Sequence, residues 1–122
     1  VKNLKESLSI PIHMQTHATT GMSTATNMKA IEAGIDNIDT SISSLSMTYG
    51  HTATETMLAI FEGQKREINL DLNALEEVSS FFKEIREKYS EFEGSLKGVD
   101  STMLVKQVPG GHVIQFRIST KS

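Results

Sequence analysis

Pro11-Ile12-His13-Met14-Gln15-Thr16-His17 runs on into Ala18-Thr19-Thr20-Gly21. Side chains of a strand alternate between its two faces. Read as a strand, this stretch places His13, Gln15 and His17 on one face and Ile12, Met14 and Thr16 on the other. A polar strand face that feeds a small-residue loop and then a helix is the pattern of an active-site strand in a parallel barrel. Pro11 is tolerated near the strand start.

The flanks fit that reading. Residues 1–8 form the tail of an amphipathic helix, with Leu4 and Leu8 four apart on one face. Residues 9–16 are the strand. Thr19, Thr20 and Ser23 offer N-caps for a helix to about Ala33, and Gly34 supplies its stop. Met28, Ile31 and the alanines give that helix a narrow apolar face. Residues 35–43 read as a second strand, with Ile38, Thr40 and Ile42 facing one way and Asp39, Ser41 and Ser43 the other. Strand, helix, strand at this spacing is a βαβ unit and implies a parallel sheet. A Ser-, Gly- and Tyr-containing loop over 44–51 follows. Thr52-Ala53-Thr54-Glu55 reads as a capping box opening a helix with Met57, Leu58, Ile60 and Phe61, which Gly63 closes. Ile68-Asn69-Leu70 reads as a short strand.

The clearest helical pattern spans about 73–93. Leu72, Leu75, Val78, Phe82, Ile85, Tyr89 and Phe92 recur every three or four residues as one apolar stripe. Lys83, Glu84, Arg86, Glu87, Lys88 and Glu91 fill the solvent side, with Glu84 and Lys88 a favourable pair. That pattern describes a packing helix with a solvated face. Residues 94–101 form a polar linker, 103–108 a short apolar run, and Pro109-Gly110-Gly111 a turn.

The 122 residues suffice for one small domain with a modest core. A complete (β/α)8 barrel takes about 250 residues. A net charge of −3 with no basic cluster argues against a nucleic-acid partner. The chain has no cysteine, which excludes disulfides and thiolate metal sites and fits a cytoplasmic location. No apolar run approaches the roughly 20 residues of a membrane span, and no signal peptide is visible. Val1 stands where an initiator Met would, so the true start is expected upstream.

HMQTHATTGM, followed by MKAIEAGIDNIDTSISSLSMTYGHTATE, resembles the carboxyltransferase domains of biotin-dependent enzymes. These are the oxaloacetate decarboxylase alpha subunit, the B subunit of two-subunit pyruvate carboxylase and the pyruvate-specific transcarboxylase subunit. The resemblance covers Val1 to about Gly111. It implies an α/β fold: the late βα units of a (β/α)8 TIM barrel with HMG-CoA-lyase-like relatives, here an incomplete barrel, plus the start of a helical C-terminal extension. Partial barrel is expected over 1–70 and helical extension over 71–111. The implied activity is carboxyl transfer to or from pyruvate or oxaloacetate. It uses biotin on a partner carrier domain or protein, in an enzyme that is a homo-oligomer when intact.

The resemblance also implies a divalent metal in the barrel mouth, zinc, manganese or cobalt. The family holds it with an Asp from an early strand, a carbamylated Lys from a middle strand, and the second and third His of a His-x-His-x-His strand. Residues i and i+2 of a strand lie roughly 6.6 Å apart and project the same way. Two imidazoles can then meet one ion at about 2.0–2.1 Å. His17 matches the third His and is the best ligand candidate. Gln15 stands at the second, and its neutral amide oxygen is a poorer ligand than imidazole for a borderline metal. His13 matches the first His, which the family does not use as a ligand. The Asp and Lys are expected upstream of Val1, and the family's proton-shuttling Thr beyond Gly111. The isolated chain is therefore expected to be inactive. Open sheet edges and an uncovered apolar face would favour rearrangement or oligomerisation.

Relatives read VPGGMLSNLESQLK where this chain reads VPGGHVIQFRISTKS. One set of legal codons for the run from His112, read one base later, yields Met-Leu-Ser-Asn-Leu-Glu-Ser-Gln-Leu. Residues 112–122 are thus expected to be a frameshifted tail without selected function; the nucleotide sequence decides it. Taken alone, the same stretch reads as a hairpin.

Plainer readings exist for each residue. A lone strand His is more often a hydrogen-bonded interior residue than a ligand, and His13 and His17 read so without the resemblance. Tyr49, Gly50 and His51 look like a loop motif of the decarboxylase branch that sets loop shape. Asp39 could face the barrel mouth or be a solvated strand cap. Gly110-Gly111-His112 is not a phosphate loop, since no Lys-Ser/Thr follows. Two other functions remain. One is a different divalent-metal TIM-barrel lyase or synthase, against which the TYGHTATE loop speaks. The other is a non-catalytic helical interaction module built on 73–93.

Overall fold

The computed structural model describes residues 1–64 and 68–106. The expected frameshifted tail, the hairpin alternative, the expected Pro109-Gly110-Gly111 turn and Gly110-Gly111-His112 lie outside the described residues.

The element order is α1 (Lys2–Ser7), β1 (His13–Met14), α2 (Ser23–Glu32), β2 (Asn37–Ile38), a 3₁₀ turn (Ser43–Leu45), α3 (Thr54–Phe61), α4 (Leu72–Lys88), a second 3₁₀ turn (Ser90–Phe92) and α5 (Thr102–Lys106). The expected βαβ unit is present. β1 and β2 pair in parallel, His13 opposite Asn37 and Met14 opposite Ile38, with α2 as the crossover. The ladders are shorter than the sequence suggests. Regular pairing covers two residues in each strand, against the expected 9–16 and 35–43. Beyond Ile38 the second segment changes partner: Ser41 makes an isolated parallel bridge to Ala53. Its N–H donates to Thr52 O at 3.0 Å, and Thr54 N–H donates to Ser41 O at 2.8 Å. Three parallel segments therefore lie side by side while each ladder stays brief.

Asp36 anchors the start of the β pair. Its carboxylate accepts from Ile12 N–H at 2.7 Å and from Lys5 Nζ of α1 at 2.8 Å. The Lys5 hydrogen bond, seconded by the Ile12 N–H, holds the Asp36 carboxyl below the usual carboxylate range.

α2 ends as its sequence directs. Gly34 takes φ +89°, a left-handed conformation that costs glycine nothing. Ile35 N–H donates to Ala30 O and Gly34 N–H to Ile31 O, both at 3.0 Å, a Schellman closure with Ile35 buried behind it. Its start differs from expectation. Met22 is the N-cap and no side chain caps it. Ser23 Oγ instead bonds Thr52 Oγ1 at 2.7 Å inside the protein. The capping box at 52–55 is also absent. Ala53 is the N-cap of α3, and the Glu55 carboxylate accepts from Ser43 N–H at 3.0 Å. In both cases a tertiary hydrogen bond across the sheet edge outcompetes the local cap.

The core is small and partly polar. Ala18, Ala30, Ile35, Ala53, Met57 and Phe61 are buried, together with Thr19, Ser23, Asn27 and Thr52. Asn27 Oδ1 accepts from Thr16 Oγ1 at 3.0 Å, joining α2 to the inner side of β1.

Ile68-Asn69-Leu70 is not a strand. Leu70 N–H folds back to Ile68 O at 2.8 Å in a three-residue turn. Asp71 then caps α4 by accepting from Asn73 N–H at 2.9 Å. α4 ends at Lys88, short of the expected 93, and tightens into i→i+3 bonds at Phe92 N–H to Tyr89 O and Glu93 N–H to Ser90 O. The helix contacts the Ser43–Leu45 turn and α3. Leu75, Phe82 and Ile85 of the expected stripe are half-buried, whereas Leu72, Val78, Tyr89 and Phe92 are exposed. Ser79 is the buried residue of α4, bonding Ser43 Oγ at 2.6 Å. Arg86, placed on the solvent side by the sequence pattern, is partly exposed but engaged. It donates to Ser44 O at 2.7 Å and pairs with Glu93. Among the described residues, no helix is long and apolar enough to cross a membrane.

Candidate functional site

The face assignment of β1 holds past the end of its regular ladder. His13, Gln15 and His17 are exposed, while Ile12, Met14 and Thr16 are half-buried. Gln15 and His17 thus stay on the shared polar face, beside a strand that runs parallel to β1. Neither His13 nor His17 is an interior histidine.

Each imidazole on or near this face has a partner at one nitrogen. His13 Nε2 meets Asp39 Oδ1 at 2.6 Å, across to the segment after β2. Asp39 is therefore paired with His13 rather than a free solvated cap. His17 Nδ1 lies 2.8 Å from Tyr49 O. A carbonyl oxygen can only accept, so Nδ1 carries the proton, and in the neutral imidazole Nε2 then holds the lone pair. A metal-ligating His commonly donates its other ring N–H to such an acceptor. His51, read from the sequence as a loop-shape residue, lies against His17. The ring centroids are 4.8 Å apart at an interplanar angle of 33°. Its own Nδ1 lies 2.8 Å from Thr16 O.

The loop that brings His51 there is tightly wound. Met47 and Thr48 adopt φ +62° and +46°. A left-handed β-branched residue is uncommon. Met47 N–H donates to His51 O and Gly50 N–H to Met47 O, both at 2.7 Å. A Cβ on Gly50 would sit 2.8 Å from Leu45 O, so this position needs glycine. Gly50 O in turn accepts from Ala18 N–H at 2.8 Å.

The donor chemistry fits part of a divalent-metal site. His17 offers an imidazole lone pair and Gln15, on the same face, a neutral amide oxygen. No group of three or more His, Cys, Asp and Glu gathers to a metal site among the described residues. The remaining donors would have to come from outside them. Sequence reasoning found the β1 face because strand alternation is local. It missed the His17–His51 contact, which depends on a left-handed loop; the only sequence signal was Tyr-Gly-His after a serine-rich stretch.

Known proteins bear on the same stretch. The chain is 41% identical over 112 residues to the pyruvate carboxylase B subunit of Methanocaldococcus jannaschii, covering 91% of this chain and 20% of that one. It is 43% identical over 100 residues to the methylmalonyl-CoA carboxyltransferase 5S subunit of Propionibacterium freudenreichii subsp. shermanii, covering 82% of this chain and 20% of that one. The fold superimposes on the carboxyl transferase domain of Rhizobium etli pyruvate carboxylase, solved with pyruvate and biocytin. The TM-score is 0.93 at 30% identity, over 98% of this chain and 20% of that one. The chain thus spans about a fifth of the length of these relatives. The family profile described as HMGL-like matches residues 1–82. With its parallel βαβ unit and its polar histidine strand inside the matched stretch, the chain belongs to the HMGL-like family, alongside biotin-dependent carboxyltransferases.

Proposed function

We propose that this chain is the late βα part of a carboxyltransferase TIM barrel, with the helices from Asp71 onward starting the extension behind it. The complete enzyme would move a carboxyl group between biotin on a carrier and pyruvate or oxaloacetate, in the cytoplasm, as a homo-oligomer. The relatives' names support the reaction class, and a structure solved with both pyruvate and biocytin supports the substrate pair. The observation that carries the reading is His17. Its Nδ1–H is spent on Tyr49 O, which leaves Nε2 available on the polar face of a parallel strand.

In this reading His17 Nε2 and Gln15 Oε1 would contribute two donors to a divalent ion, the others coming from the rest of the barrel. A bound divalent ion supplies polarisation of the keto-acid carbonyl and so eases enolate formation. His17 holds its donor atom in one tautomer through Tyr49 O. Gln15 offers no charge and less basicity than imidazole, so it weakens the site. His13 is engaged by Asp39 and is not counted among the donors. By itself the chain would offer His17 as an intact donor and Gln15 as a weaker one, so the isolated chain is expected to be inactive.

The test is a hybrid. Residues 1–106 replace the matching stretch of the M. jannaschii pyruvate carboxylase B subunit, and pyruvate-dependent carboxyl transfer is assayed. Weak activity that rises at least about tenfold with Gln15→His is expected, about 1.4 kcal/mol. A folded, metal-loaded Gln15→His hybrid with no activity overturns the reading.

A further inference from the structure

His51 is an imidazole that the proposed metal site does not use. The two chain segments that carry His17 and His51 are tied in both directions. His17 Nδ1 reaches Tyr49 O, two residues before His51, at 2.8 Å. His51 Nδ1 reaches Thr16 O, one residue before His17, at 2.8 Å. Between them Ala18 N–H donates to Gly50 O at 2.8 Å. The rings lie against each other at 4.8 Å. Since both acceptors are backbone carbonyls, each bond requires the proton on Nδ1. The arrangement therefore selects one tautomer at both histidines and restrains how the His17 ring can turn.

The backbone that achieves this is held in an unfavourable state. Two consecutive non-glycine residues, Met47 and Thr48, are left-handed, and Gly50 is packed too closely for any side chain. Such conformations persist where the surroundings over-determine them, often at functional sites.

We propose that His51 is a positioning residue for His17. By fixing Thr16 O and the Tyr49–His51 backbone against each other, it keeps Tyr49 O on His17 Nδ1 and Nε2 free as a lone-pair donor. The tautomer clamp stands without any ion; only its consequence for metal affinity rests on the reading of His17 as a ligand.

The experiment follows the side-chain nitrogens of the 15N-labelled full chain by NMR, at a pH where the imidazoles are neutral. A Co²⁺ titration is then run on the same variants carried in the hybrid barrel, which supplies the remaining donors. Wild type should show protonated Nδ1 and unprotonated Nε2 at both His17 and His51. His51→Asn, whose amide N–H can stand in for Nδ1–H, should keep His17 in that form and keep its Co²⁺ affinity. His51→Phe keeps a ring against His17 but cannot donate. It should return His17 to a tautomer mixture and weaken Co²⁺ binding about 10- to 100-fold, the usual effect of losing an outer-shell partner. An Nε2–H tautomer at His17 or His51 in wild type overturns the proposal, and so does an unchanged His17 tautomer in folded His51→Phe. A Co²⁺ shift at His51 Nε2 equal to that at His17 also overturns it, since His51 would then be a ligand. If the tautomers follow the prediction but no variant binds Co²⁺, the positioning role is supported and the metal reading fails. If His51→Phe does not fold, the wild-type tautomers and the His51→Asn titration still decide.

Discussion

Gln15 stands where the proposed site calls for an imidazole, and its effect can be isolated. Like His17 it is exposed, and in the proposed reading it offers a neutral amide oxygen in place of an imidazole. Gln15→His should raise divalent-metal affinity at least about tenfold, or about 1.4 kcal/mol, by calorimetric titration with Zn²⁺. His13→Ala should leave that affinity unchanged, because His13 is engaged by Asp39. On the inner face Asn27 is fully buried and accepts from Thr16. Asn27→Ala removes that link and leaves a void, so unfolding in urea should show a loss of about 1–3 kcal/mol. The faces of residues 12–17 were legible in the sequence because each side chain's direction follows from its neighbour's. His51 was not, because its place against His17 is set by Met47 and Thr48 in a conformation their side chains do not announce.

At the scale of elements, helix ends divide into those set locally and those set by distant partners. Gly34 closes α2 through its own φ, and a Cβ there meets nothing nearby, so Gly34→Ala should cost about 1 kcal/mol from backbone conformation alone. The starts of α2 and α3 were misjudged because Ser23 and Glu55 bond across the sheet edge to Thr52 and Ser43. The same holds for α4. Its periodicity named a helix, but Arg86 was assigned to solvent although it reaches Ser44 O and Glu93. The Arg86 hydrogen bond, then that of Lys97, holds the Glu93 carboxyl below its usual range. A carboxyl with a lowered folded-state pKa stabilises above its unfolded value, and that contribution disappears as the pH falls through the folded value. Urea midpoints measured from neutral pH downward should therefore decline in that acid window. In Arg86→Met the decline should be shallower; an identical slope would assign it to other carboxylates.

At the scale of the whole molecule, small interior and large exposed apolar side chains coexist. Ile10, Phe81, Tyr89, Phe92 and Val105 are all more than half exposed. Among the described residues the buried apolar set is limited to Ala18, Ala30, Ile35, Ala53, Met57 and Phe61. Extended exposed apolar surface promotes association. The apparent size of the chain in light scattering should rise with concentration, and Phe81→Ser with Phe92→Ser should reduce the rise. A size independent of concentration would contradict this. The α/β class and parallel pairing were legible because strand, helix and strand follow at βαβ spacing. The shortness of each ladder was not, because it depends on Ser41 leaving β1 for Ala53. The HMGL-like assignment rests on the same stretch, which carries both the parallel pair and the histidine face.

The most direct check of the metal reading is a Zn²⁺ titration of the 15N-labelled hybrid barrel carrying residues 1–106, following the imidazole nitrogens of His13, His17 and His51 together. A saturable shift of His17 Nε2, reached at lower Zn²⁺ in Gln15→His and with His13 unmoved, is the predicted result. A His17 that stays silent in both chains, or a response led by His13, would contradict it.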